Sequence, residues 1–170
     1  MLLATLLALG AAVLHAGWNL AAKRATGDRY AVLWAQFVAA GLMSLPAMVV
    51  CHVVWGMPLQ GYLWAAASGL VHLPYVWLLA RAYSHGDFSV AYPVARGGGA
   101  ALAAISGVVF LGDDLSLLEV SGIAIVVLGL VVLSQGAHVP SLTMALAVAL
   151  TIGTYTTLDA QGARATDSIA

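Results

Sequence analysis

The stretch AYPVARGGGAALAAISG, Ala91 to Gly107, places one fixed positive charge, Arg96, among residues suited to lipid or to close helix packing. Arg96 lies eight residues into the apolar segment from Phe88 to Leu111, which is about 12 Å into a hydrocarbon core about 30 Å thick. A charge at the bilayer centre costs at least about 2.5–3.5 kcal/mol and almost always faces a bundle interior or a wet cavity. The stretch therefore predicts a bundle of membrane-spanning helices with Arg96 on an inward face.

The composition also indicates a membrane protein. Of the 170 residues, 62% are hydrophobic and 8% are charged, and the mean hydropathy is +0.98. A soluble domain typically has about 25% charged and about 45–50% apolar residues. The net charge of −1 argues against nucleic-acid binding, which needs a basic face. Cys51 is the only cysteine, which excludes an intrachain disulfide and a cysteine-based metal site.

Six segments are candidates for spanning helices, each of which needs about 20 predominantly apolar residues. They run from Leu2 to Ala22, Tyr30 to Val50, Gly61 to Ala82, Phe88 to Leu111, Leu117 to Ser134 and Ser141 to Leu158. The first is interpreted as a transmembrane helix and not as a secretory signal, because no basic residue precedes its apolar run. The alternating pattern of a membrane β-barrel is absent. We expect an all-α membrane protein, a polytopic bundle of about six transmembrane helices.

The distribution of basic residues predicts the orientation in the membrane. The first connection carries Lys23, Arg24 and Arg29, and Arg81 leads into the third. The second and fourth connections carry no lysine or arginine. The positive-inside rule therefore predicts odd-numbered connections in the cytoplasm and the N-terminus outside.

A weak internal repeat relates the first and sixth segments. A constant offset aligns Gly17 with Gly153 and Asn19 with Tyr155, and both segments are small-residue-rich helices that end in a polar cluster. The sixth segment then begins a second copy of a five-helix unit, and an odd number of spans forces the copies into opposite orientations. The predicted domains are a first repeat at 1–135 and the start of a truncated second repeat at 141–170.

Polar and aromatic groups inside the predicted membrane segments are the candidates for function. His15 and Asn19 share a face of the first helix because they are four residues apart, as do Tyr92 and Arg96 of the fourth. The other candidates are Trp18 beside Asn19, Trp34 and Gln36 on the second helix, and His72 and Tyr75 on the third. A lone histidine or asparagine in a membrane helix often only bonds a neighbouring helix, with about 0.6 kcal/mol. Structural and substrate-contact roles are therefore both open for these residues, and for Arg96 the structural alternative is a guanidinium bonded to carbonyls freed around Pro93.

Two further patterns predict packing and helix ends. Gly99, Ala103 and Gly107 recur every four residues, a stripe that lets another helix approach closely. Ser116 and Glu119 match a capping box at the start of the fifth helix, which carries few polar groups and is interpreted as a scaffold. No HExxH, GxSxG or P-loop motif occurs, so the sequence shows no equipment for hydrolysis or nucleotide chemistry.

The chain resembles the EamA family of the drug/metabolite transporter (DMT) superfamily. The resemblance rests on HAGWNLAAK in the first helix, AYPVARGGGAALAAISGVVFLGDDLS across the fourth and EVSGIAIVVLGLVVLS in the fifth. It implies a ten-helix fold of two inverted five-helix halves around a central cavity, of which this chain would be the first half and one more helix. It also implies a cytoplasmic N-terminus, opposite to the charge distribution, and the two orientations stay open.

The resemblance implies transport of small metabolites, such as amino acids, that is driven by gradients. The positions carried over as substrate-binding candidates are His15, Trp18, Asn19, His72, Tyr75, Tyr92, Arg96 and Tyr155. We therefore expect a secondary transporter, or a fragment of one, that moves a small polar metabolite such as an amino acid or organic anion across the cytoplasmic (inner) membrane by alternating access, with Arg96 as its anion-binding group.

The expected partners are this small-molecule substrate and membrane lipid, with no nucleic acid, no metal and no cofactor. Family members are about twice as long, so the chain is expected to be truncated, to form a homodimer or to pair with a missing C-terminal half. A non-transporting membrane assembly subunit is one alternative function. A less favoured alternative is an intramembrane enzyme with His15 and His72 as acid and base, for which no carboxylate or cysteine is placed to help.

Overall fold

The chain folds into six α-helices, seen in a computed structural model that describes residues 2–24, 27–85 and 88–166. The helices are α1 (Leu2–Arg24), α2 (Arg29–Trp55), α3 (Leu59–His85), α4 (Phe88–Leu111), α5 (Leu117–Leu133) and α6 (Val139–Thr166). No strand occurs in these ranges. The predicted all-α bundle is confirmed, with one helix for each predicted segment.

Several helices extend past the predicted spans. The prediction ended α2 at Val50, but the helix continues to Trp55. Gly56 then ends it in the left-handed conformation, with φ 65°. Helix α6 continues to Thr166, where the prediction ended at Leu158. Hydropathy locates the part of a helix that suits lipid, whereas the backbone stays helical into water until a cap satisfies its last carbonyls. The predicted capping box of Ser116 and Glu119 is confirmed at the start of α5.

Helix α6 is the centre of the packing, because it lies against both α3 and α4, which touch each other far less. The core between them contains buried side chains such as Val76 and Leu79 of α3, Ala95 of α4, and Val148 and Ile152 of α6. Helix α2 packs on α3, α1 touches α2, and α5 packs on α4. Helix α6, the predicted start of a second repeat, therefore completes the core formed by the helices of the first repeat.

Glycines allow α4 and α6 to approach closely. A Cβ on Gly99 would lie 2.6 Å from Cβ of Ile152, and a Cβ on Gly153 would lie 2.8 Å from Cβ of Leu102. The predicted small-residue stripe on α4 is thus confirmed at Gly99. At Gly107 the nearest described atoms to an added Cβ belong to Asp113 in the following turn, with Oδ2 at 2.6 Å.

Four described helices, α2, α3, α4 and α6, are long and apolar enough to cross a membrane. Helix α5 is strongly apolar but has 17 residues, about 25 Å of helix. Large apolar side chains such as Val53, Phe110 and Leu128 are exposed on the outer faces of the bundle. Exposure of this kind suits contact with lipid, and the protein is a multi-pass membrane protein.

Candidate functional site

A cavity of about 520 Å³ lies within the bundle, and it is lined by residues of α1, α2, α3, α4 and α6. Five of the eight predicted site residues line it: His15, His72, Tyr75, Arg96 and Tyr155. They come from four helices, so only the tertiary packing brings them together. Most of the remaining wall is apolar and includes Leu33, Phe37 and Met43 of α2. The cavity has the size range and the character of a small-molecule site, largely apolar with few polar groups.

Arg96 contributes the fixed positive charge of this cavity. Its Nη2 donates a hydrogen bond of 3.0 Å to the hydroxyl oxygen of Tyr75. Its guanidinium carbon lies 5.9 Å from the ring centroid of Tyr75 and 5.8 Å from that of Tyr92, within the reach of cation–π attraction. Tyrosines, and not the carbonyls near Pro93, are thus the groups placed against Arg96.

An aromatic cluster forms the wall next to Arg96. The rings of His72 and Tyr155 stack with centroids 4.1 Å apart, and Tyr75 meets Tyr155 edge to face at 5.5 Å. Nδ1 of His72 lies 2.8 Å from the carbonyl oxygen of Ser68. Because a carbonyl oxygen only accepts, Nδ1 donates in this contact.

Asn19 and Tyr92, two of the other three predicted site residues, do not line the cavity. Asn19 is buried, where its Nδ2 donates to the carbonyl oxygen of His15 and its Oδ1 accepts from the hydroxyl of Tyr83. Its amide therefore ties α1 to α3. Tyr92 stacks on Phe88 with ring centroids 5.2 Å apart, and its ring lies within cation–π distance of Arg96. The prediction for Trp18 concerns a side chain outside the described part of the structure.

From the α2 wall, only Gln36 was singled out in the sequence, as an intramembrane polar group and not among the eight substrate-binding positions. Leu33, Gln36, Phe37 and Ala40 all line the cavity, and their i, i+3, i+4, i+7 spacing puts them on one helical face. Gln36 is the polar residue of that face. The spacing is visible in the sequence, but a helix that is apolar on all sides gives no indication of which face points inward.

Arg96 has no carboxylate partner within the described residues. The ion pair found there joins Nη2 of Arg164, near the end of α6, to Oδ1 of Asp113, just after α4, at 2.6 Å, and both side chains are partly exposed. Nε of Arg96 is buried and has no hydrogen-bond partner among the described residues. Desolvation of a partly buried cation without a counter-charge is costly, and in the described structure it is offset by the Tyr75 hydroxyl and by the π faces of Tyr75 and Tyr92.

Comparison with known proteins identifies the family. The model of the EamA-like transporter family matches residues 2–135. Neither the curated proteins nor the solved structures gave a match. The matched range holds α1 to α5, and with them every element that lines the cavity except α6. The chain therefore belongs to the EamA-like transporter family, in the drug/metabolite transporter superfamily, whose members are membrane transporters.

Proposed function

We propose that the protein is a secondary transporter for a small polar metabolite with an anionic group, such as an organic anion or an amino acid, in the cytoplasmic membrane. The single observation that carries this proposal is Arg96, a cation without a carboxylate partner in the described structure, in the wall of a cavity. A bound carboxylate or phosphonate would supply the missing counter-charge through charge-assisted hydrogen bonds to the guanidinium.

The depth of the site supports transport by alternating access. Arg96 is eight residues from the start of α4, and His72 is thirteen residues from each end of α3, so both lie about 12–20 Å from the helix ends. Binding sites of secondary transporters lie near the bilayer midplane, where they can be opened to either side in turn. A site at this depth serves a transporter better than it serves an assembly subunit, which needs only surface contacts.

The apolar wall favours a ligand with a single anionic group. One guanidinium and a few polar groups face many carbon atoms, so the ligand should present one anionic group and an apolar body. A doubly charged ligand would leave its second charge against the α2 wall without a partner, which is costly in a low-dielectric site.

Uptake into proteoliposomes tests the proposal. Purified protein is reconstituted, and entry of labelled small carboxylates, amino acids and phosphonates is compared for the native protein, Arg96→Gln and Arg24→Gln. Arg24 is an exposed arginine at the end of α1 and serves as the matched control. We expect uptake by the native protein and Arg24→Gln, and none by Arg96→Gln at equal amounts of folded protein. Uptake unaffected by Arg96→Gln would refute the role of Arg96, and no uptake by any protein would favour the assembly-subunit alternative.

A further inference from the structure

Gln36 lines the same cavity as Arg96. Its amide oxygen can accept a hydrogen bond, whereas the guanidinium of Arg96 can only donate. Gln36 lies on the face of α2 that also presents Leu33 and Phe37 to the cavity. The atom Oε1 of Gln36 is buried and accepts no hydrogen bond from any described residue. Leaving a buried acceptor without a partner is unfavourable, so a ligand that donates a hydrogen bond to Gln36 would remove this cost.

Asn19 provides a comparison for Gln36, because its side-chain amide links two helices by hydrogen bonds. Both poles of the Asn19 amide are bonded to protein, one to the carbonyl oxygen of His15 and one to the hydroxyl of Tyr83. Gln36 has no such partner for Oε1 in the described ranges. Since leucine would fill a similar volume without the penalty, the helix-to-helix role that explains Asn19 does not explain Gln36.

Two buried side-chain atoms lack partners in the described structure, and both belong to residues of this one cavity: Nε of Arg96, a donor, and Oε1 of Gln36, an acceptor. A simple anion satisfies only the donor. Rotation about the flexible glutamine side chain can turn the amide oxygen toward a ligand in the cavity that the residue lines.

We propose that Gln36 determines specificity by selecting ligands that carry a hydrogen-bond donor, such as an ammonium group, besides the anionic group bound by Arg96. The inference rests on the proposed function, and it narrows the substrate class from small anions to amphoteric molecules. The ligand bridges α2 and α4, with its anionic end at Arg96, its donor at Gln36 and its apolar body along Leu33 and Phe37.

Binding of two matched series to the purified full chain tests the inference. The first series is the ω-amino carboxylates from glycine to 6-aminohexanoate, which varies the separation of the two ends. The second replaces each ammonium by methyl, from propanoate to heptanoate. The measured quantity is the affinity ratio of each pair in the native protein, in Gln36→Leu, and in Gln60→Leu as a matched control on exposed Gln60.

For at least one chain length, Gln36→Leu should lower the amino-to-alkyl affinity ratio about tenfold to a hundredfold, the effect of one hydrogen bond to a charged group. Gln60→Leu should leave every ratio unchanged. The melting temperature of ligand-free Gln36→Leu should rise by about 2–4 °C or more, because the unmet acceptor is removed. A fall in this temperature would show that Gln36 holds the fold, and would overturn the inference.

Arg96→Gln separates this inference from the proposed function. It should weaken both series equally, because both carry the carboxylate. If Arg96→Gln weakens both but Gln36→Leu leaves all ratios unchanged, Gln36 has no part in specificity while the anion site stands. If Arg96→Gln weakens neither, or neither series binds the native protein, the anion site itself is wrong and the inference is overturned with it.

Discussion

Gly153→Ala should destabilise the bundle, because it puts a methyl group into the contact between α4 and α6. The added Cβ would lie 2.8 Å from Cβ of Leu102 and 3.4 Å from the backbone nitrogen of Ala103. Both neighbours are fixed to the α4 backbone, so no side-chain rotation relieves the contact. The two helices must separate by several tenths of an ångström, which loosens the packing of Val148 and Ile152 in the core.

Overpacking of this kind costs about 1–3 kcal/mol, and alanine recovers up to about 1 kcal/mol of helix propensity. A net loss of up to about 2 kcal/mol corresponds to a melting temperature lower by up to about 8 °C for a chain of this length. Gly129→Ala is the matched control, since nothing lies within 4 Å of a Cβ there. The assay is heating of purified protein in detergent followed by size-exclusion chromatography. Equal melting temperatures for the two variants would refute the close α4–α6 contact.

Two further predictions concern α1 and the orientation. Tyr83→Phe removes the 3.1 Å hydrogen bond to Oδ1 of Asn19, so the free energy of unfolding should fall by about 1–2 kcal/mol. The measurement is the melting temperature, which should be lower than that of the native protein. An unchanged melting temperature would contradict the hydrogen-bonded link between α1 and α3. In a Cys51→Ser background, a membrane-impermeant maleimide on intact cells should label Asp114→Cys but not Gln135→Cys, because the positive-inside rule puts the fourth connection outside and the fifth inside. The reverse labelling would establish the cytoplasmic N-terminus that the family resemblance implies.

The helices were largely predictable because hydropathy alone marks spanning segments. Helix α4 was predicted at its observed bounds, Phe88–Leu111, since polar turns bracket its apolar run. The end of α6 was not predictable in this way. The polar residues after Leu158 leave the region that suits lipid, yet they continue the helix, and Arg164 pairs with Asp113 at its end.

The candidate site was predictable in its charged and aromatic residues but not in its α2 wall. Arg96 was singled out because an intramembrane charge is costly anywhere but inside a bundle. His15 and Asn19 share a helix face in sequence, and only the contacts separate them: His15 lines the cavity, whereas both poles of the Asn19 amide are bonded within the protein. The role of Gln36 depends on which face of α2 meets the cavity, and that follows from packing against α3, which a single sequence does not encode locally.

The most direct test of the central claim is the affinity of one labelled carboxylate for the native protein, Arg96→Lys and Arg96→Gln, with folding checked by chromatography. A ligand that supplies the missing counter-charge should bind the native protein best. It should bind Arg96→Lys more weakly, because an ammonium keeps the charge and loses the planar fork, and Arg96→Gln at least about tenfold to a hundredfold more weakly than the native protein. Equal affinity for the native protein and a folded Arg96→Gln would contradict the account.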